Sequence, residues 1–188
     1  MRIYTKRGDD GTTGLLFGGR VPKSAKRIEV NGAVDEAQAA LGLGRAELPR
    51  GSELDELLVL VERDLWVLMA EVATLPAHRR KLVPGASLVT EEMVAALESQ
   101  IDALTERTSM PAEFVVPGEN RASAALDVAR TAVRRAERVA VTLPMPGSLV
   151  VPYLNRLSDL VWTMARVAEG DHHRTARTRP RGRPTKET

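Results

Sequence analysis

The chain has 188 residues, 43% of them hydrophobic but only 3% aromatic, and it has no cysteine. That length suits one domain with a sizeable core built from Leu, Val, Ala and Met, and the missing cysteine excludes disulfides, zinc–thiolate sites and a thiol nucleophile. The net charge of +2 is unevenly placed: residues 172–188 carry six Arg or Lys and one Glu, while the other 171 residues carry 21 basic and 24 acidic groups.

The body is therefore mildly acidic and only a Pro/Arg/Thr tail is basic. The tail, 171–188, is expected to be disordered and undocked, attracting polyanions by charge alone without reading nucleic-acid sequence. Removing everything after Gly170 is expected to leave activity and melting temperature nearly unchanged. No apolar run approaches the roughly 18 residues of a membrane span, and no signal-peptide core follows Met1, so the expected location is cytoplasmic.

Residues 1–24 form the first element, a loop. The stretch YTKRGDDGTTGLLFGGRVPKSAKR, 4–27, holds five glycines among basic, acidic and hydroxyl side chains, with no apolar periodicity. Without a Cβ, backbone N–H groups and nearby cations can surround an anion, so the composition suits a phosphate cradle; it suits an unstructured leader of turn residues equally. It is not a Walker A loop, because Gly14 and Gly19 are followed by Arg20 and Val21 rather than Lys and a hydroxyl, and G-x-G-x-x-G is absent.

Five helices follow within residues 25–170, with no alternating strand pattern between them. Helix one runs from about Ala25 to Glu47, with Ile28, Val30, Ala33, Val34, Ala37, Ala40 and Leu41 at near-helical spacing. Ser52, with Asp55 three residues on, caps the second, which carries leucines and valines to Val72. Thr90 caps the third. The fourth spans about Glu119 to Thr142 and the fifth about Pro152 to Glu169. The pattern predicts a single-domain, all-α five-helix bundle. In the linker from Thr108 to Glu119, Phe114 either plugs the bundle end or offers an apolar surface.

Helix four carries Asp127, Arg130, Arg134, Glu137 and Arg138 on one stripe, with Arg135 beside it. Such a stripe reads as a solvated face of ion pairs or as an anion site; four arginines and no lysine favour bidentate contacts to phosphate or carboxylate. Asp35, Glu36 and Asp159 are matching carboxylates on other helices. On helix five, Asn155, Asp159 and Arg166 are read as a polar edge.

Four segments, IYTKRGDDGTTGLLFGGRVPK, NGAVDEAQAALG, FVVPGENRASAALDVARTAVRRAER and YLNRLSDLVWTMAR, together resemble the PduO-type ATP:cob(I)alamin adenosyltransferases from about Met1 to Arg166. The resemblance implies a five-helix bundle assembled as a homotrimer, with active sites between subunits. It implies transfer of the 5′-deoxyadenosyl group of ATP to the cobalt of cob(I)alamin, releasing triphosphate, with Mg²⁺ on the nucleotide. Thr5, Lys6, Gly8, Asp9, Thr13 and Lys23 fall on its ATP loop, and Arg134, Arg135, Glu137, Arg138 and Asn155 on its nucleotide contacts, Glu137 also as the metal-side carboxylate. Asp35 and Arg130 match a salt bridge between subunits and, with Arg134 and Lys6, make up the expected catalytic set. Phe114 matches the aromatic that displaces the lower cobalt ligand; Asp127 falls in the corrinoid region.

Two departures stand out. Asp127 replaces a common His, and Gln38 replaces an Asn near the interface. The resemblance also admits a non-catalytic adenosylcobalamin carrier of the same fold, and an adenosylcobalamin-dependent mutase is an expected recipient. An unrelated helical interaction module with a nucleic-acid-binding tail is the reading outside this family.

Overall fold

A computed structural model of the chain describes residues 3–171 and 173–176. Five α-helices hold the core: α1 (Lys26–Ala46), α2 (Glu53–Val72), α3 (Glu91–Arg107), α4 (Arg121–Val141) and α5 (Val150–Glu169). Their starts follow from local chemistry. Ser52 Oγ accepts from the Asp55 N–H while Asp55 Oδ2 accepts from the Gly51 N–H. Thr90 Oγ1 accepts from the Met93 N–H, and Asn120 forms a reciprocal capping box with Ser123.

The most extensive packing joins α1 to α4 and α4 to α5, with α2 against α1 and α3 against α5. The α1–α4 seam is made of small residues: Ala33, Ala37 and Gly44 on one helix, Ala129, Ala132, Ala136 and Ala140 on the other, all buried. At Gly44 a Cβ would stand 2.9 Å from Leu126 Cδ2, so the close approach depends on glycine. Helix α5 is the central element, burying Tyr153, Leu154, Leu157, Leu160, Val161, Met164 and Ala165. Among the described residues, no helix is long and apolar enough to cross a membrane.

Three features depart from the sequence expectations. The fold is not purely α: Thr12–Gly14 (β1) and Arg20–Pro22 (β2) pair antiparallel, Thr13 opposite Val21, within the expected loop. Strands of three residues show no alternation, which is why the pattern hid them. A 3-10 helix, Pro76–Lys81, also fills the linker after α2. Residues 173–176, assigned to an undocked tail, lie against the Phe114 loop: the Val116 N–H donates to the Arg174 carbonyl and the Ala176 N–H to the Phe114 carbonyl, both at 2.7 Å. Backbone pairing there does not depend on side-chain type, so composition could not reveal it. Residues 177–188 of the tail lie outside the described residues.

Tyr153 is fully buried on α5 and donates to Asp64 Oδ2 on α2 at 3.0 Å. Burial pushes the half-buried Asp64 carboxyl above its ordinary range, and the Tyr153 bond partly offsets this. Tyr153→Phe removes that donor and should cost about 1–2 kcal/mol in urea unfolding. Because the lost bond had favoured the charged carboxylate, the cost is full above the folded-state pKa of Asp64 and shrinks as pH falls through it. A cost independent of pH would show that Asp64 is not the group affected.

Candidate functional site

The N-terminal loop is a folded hairpin. Its tip turns at Leu15–Gly19, where Phe17, Gly18 and Gly19 take φ of 63°, 99° and 94°. The glycines accept this conformation freely; Phe17 does not. The tip is fastened to the C-terminus of α2, whose last carbonyls need donors: the Leu16 N–H bonds the Ala73 carbonyl at 3.0 Å, while Arg27 Nη1, at the start of α1, bonds the neighbouring Val72 carbonyl at 2.6 Å. Lys81 Nζ sits 5.7 Å from the Phe17 ring centroid.

Arg20, which no sequence reading singled out as a site residue, ties the hairpin base together. Its Nη2 donates to the Arg7 carbonyl at 2.5 Å and to Thr12 Oγ1 at 2.6 Å, and it stands 3.7 Å from Asp10 Oδ1. Thr12 donates to Asp10 through N–H and hydroxyl at 2.9 and 2.8 Å, which holds the Asp10 carboxyl below its ordinary range. The only signal for Arg20 in the sequence was its place after Gly18-Gly19.

The expected phosphate residues Thr5, Lys6, Gly8, Asp9, Thr13 and Lys23 all belong to this loop. Tyr4, Thr5, Lys6 and Arg7 line an open cleft of about 450 Å³, and Lys6 takes a left-handed φ of 59°. The Lys23 side chain lies over Gly8, where an added Cβ would stand 3.3 Å from Nζ. Lys6 and Lys23 have no carboxylate partner among the described residues.

On α4 the charged stripe divides. Arg134 and Arg138 are exposed, with no ion pair or hydrogen bond among the described residues. Between them Glu137 Oε1 accepts from Asn155 Nδ2 at 2.9 Å, so the mid-helix asparagine has its partner on the neighbouring helix. Arg135 pairs with Glu36 of α1. Asp159 pairs instead with Arg156 of its own helix, and Asp35 is exposed and does not meet Arg130 within the chain.

Asp127, expected in the corrinoid region, is engaged within the chain. It is 5% exposed and held by Arg130 at 3.3 Å and Arg166 at 2.5 Å. Arg166, read as part of a polar edge, is 2% exposed; it also reaches Glu169 at 3.0 Å and lies 5.7 Å from the Trp162 ring centroid. Two buried carboxylates around one guanidinium compensate charges that neither helix could bury alone. Phe114 does not plug the bundle. It is 89% exposed and, with Ala112, Glu113, Trp162 and Ala176, lines an open cavity of about 720 Å³. Trp162 was missed, although it is one of only two tryptophans.

Residues 3–168 match the family model described as cobalamin adenosyltransferase. A corrinoid adenosyltransferase of Citrobacter freundii is 40% identical over 171 residues, covering 89% of this chain and 95% of its own. One from Bacillus subtilis is 37% identical over 173 residues, covering 89% and 86%. Among solved structures, a single-residue variant of the PduO-type ATP:corrinoid adenosyltransferase from Lactobacillus reuteri, complexed with cobalamin and ATP, superimposes with a TM-score of 0.81 at 28% identity, covering 94% of this chain and all of that one.

Arg20→Ala tests whether the hairpin is held from its base. Hydrogen-exchange protection of the Leu15 and Lys23 amides should fall at least about tenfold while the melting temperature moves by less than about 2 °C. Unchanged protection would show that the strand pairing alone suffices.

Proposed function

This chain belongs to the cobalamin adenosyltransferase family, and we propose that it transfers the 5′-deoxyadenosyl group of ATP to the cobalt of cob(I)alamin. The observation that carries the reading to particular residues is the uncommitted cationic face of α4. Arg134 and Arg138 stand exposed, with no side-chain partner among the described residues, on either side of a Glu137 fixed by Asn155, and a folded glycine-rich loop supplies Lys6 and Lys23. Arginines without carboxylate partners are available to phosphate oxygens.

The reaction balances without a protein base. The Co(I) electron pair forms the bond to C5′, the C5′–O bond breaks, and its pair leaves on triphosphate. The protein's task is to hold C5′ in line with cobalt and to stabilise the departing charge. In this reading the loop residues Thr5, Lys6, Gly8, Asp9, Thr13 and Lys23 surround the phosphates, with Arg134, Arg135, Glu137, Arg138 and Asn155 as the α4–α5 wall.

Among the described residues no three His, Asp or Glu side chains come together as a metal site. That suits a Mg²⁺ that arrives on the nucleotide, with Glu137 as the nearby carboxylate, since Mg²⁺ is commonly held by one or two carboxylates plus substrate phosphates. Bound there it would neutralise phosphate charge. The exposed Asp35, without an ion pair among the described residues, supports a homotrimer in which it meets Arg130 of a neighbour and the sites lie between subunits.

Phe114 in this reading occupies the lower face of the corrin ring. Displacing the lower ligand of cob(II)alamin makes the metal easier to reduce, a change in the substrate's electronics rather than acid–base catalysis.

The direct test mixes ATP with cob(I)alamin and follows conversion of the spectrum to adenosylcobalamin together with triphosphate release. A carrier that only holds the product would release none. Arg134→Ala should lower kcat/KM by at least about a hundredfold, roughly 3 kcal/mol of transition-state stabilisation, while light scattering shows the oligomer unchanged. Near-normal kcat/KM would remove Arg134 from the site.

A further inference from the structure

The described C-terminal residues lie beyond the span that matches the family, which ends at 168, yet they touch the loop on which the reading of Phe114 rests. We propose that His173 is a positioning residue for Phe114, acting through Glu169 and the short bridged segment that follows it. The inference rests on Phe114 facing the corrinoid.

The loop has little of its own to hold it. Phe114 lies between Pro111 and Pro117, outside any helix, and its ring is 89% exposed, so side-chain burial does not fix it. What fixes the backbone is the segment 174–176, joined to the loop by an isolated antiparallel bridge. The Ala176 N–H donates to the Phe114 carbonyl and the Val116 N–H to the Arg174 carbonyl, with Val115 opposite Thr175. These two bonds hold Phe114 itself and Val116, on either side of the bridged Val115. Ala176 also lines the same cavity as Phe114 and Trp162.

A segment near a chain end needs an anchor of its own. His173 Nδ1 lies 2.7 Å from Glu169 Oε2, and Nε2 lies 3.4 Å from the Ser109 carbonyl oxygen at the start of the same loop. Glu169 is 8% exposed and shares Arg166 with Asp127. The anchor is therefore a compensated, buried ionic cluster joining α4 and α5. Solvent and salt screen such a cluster far less than a surface pair. The segment hangs from the rigid bundle at His173 and fixes the Phe114 loop from its open side.

The test uses the full chain with His173→Ala, His173→Gln, Ala176→Pro, Phe114→Ala and the double variant His173→Ala/Phe114→Ala. Ala176→Pro removes the N–H that holds the Phe114 carbonyl and leaves His173 and Glu169 intact, so it carries the test where His173→Ala melts early. Turnover is measured from cob(II)alamin with reductant and from pre-reduced cob(I)alamin. Electron paramagnetic resonance reads the fraction of cob(II)alamin that has lost its lower ligand in the ATP-loaded protein.

His173→Ala and Ala176→Pro should each lower cob(II)alamin turnover and that fraction at least about tenfold, as small misplacements of a positioned group do. The KM for ATP should stay within about twofold, and cob(I)alamin turnover should fall less. His173→Gln, which keeps a donor toward Glu169, should recover most of the loss, and the double variant should be no worse than Phe114→Ala alone. If Phe114→Ala is impaired while His173→Ala and Ala176→Pro match the wild type, the positioning role is overturned. If Phe114→Ala itself matches the wild type, the reading of Phe114 fails and this inference fails with it.

Discussion

The close approach of α1 and α4 is the constraint on which the other features depend. Alanines on both helices bring the two backbones near, and Gly44 leaves the space that the Leu126 side chain fills. Leu126 and Val133 are buried on the inner side of α4, while Arg134 and Arg138 face outward. A helix whose inner face is rich in alanine gains little from burial per residue, so its stability rests on α5, which covers its other flank. The site arginines are presented from a rigid element, and that element is rigid because its neighbours sit so close.

The second organising feature is the ionic cluster of Asp127, Arg166 and Glu169. Burying one of these groups alone would cost several kcal/mol; burying them together, with both Asp127 oxygens hydrogen-bonded to arginines and Glu169 Oε1 ion-paired to Arg166, makes the arrangement tolerable. The cluster fixes the angular position of α4 against α5. Trp162 stacks on the same guanidinium, so one wall of the Phe114 cavity shares its support with the helix packing. Fold stability and pocket shape are coupled here through a single side chain.

Helix positions were legible in the sequence because their signals are local. Ser52 and Thr90 cap through their own third neighbours, and α2 and α5 carry long apolar stripes. Family membership was legible from four segments in order. What escaped reading depends on partners far along the chain. Asp127 looked solvated because its neighbours at i+3 and i+7 are arginines; its burial is decided by Arg166, 39 residues later. The ribbon depends on Arg20 bridging 13 residues to Arg7 and on a helix terminus near Ala73. The pairing of 173–176 with 114–116 uses backbone groups common to nearly every residue. The α4 stripe was read as one unit, yet among the described residues Arg130 and Arg135 are claimed by Asp127 and Glu36 while Arg134 and Arg138 have no side-chain partner.

In the proposed reading of the N-terminal loop as a phosphate cradle, the docked hairpin also bears on the thermodynamics of nucleotide capture. Fixing a free residue costs about 1–2 kcal/mol of backbone entropy, so a leader disordered from end to end would spend much of its binding energy on becoming ordered. Here residues from about Thr12 onward are already paired or fastened to α2, and the strain of a left-handed Phe17 is met by Lys81 and by the Leu16–Ala73 bond. The ordering that remains falls on the few residues around Lys6. Calorimetry of ligand binding would then show a small entropic penalty and a modest heat-capacity change, the signature of closing a short flap on a preset hinge rather than of folding a tail.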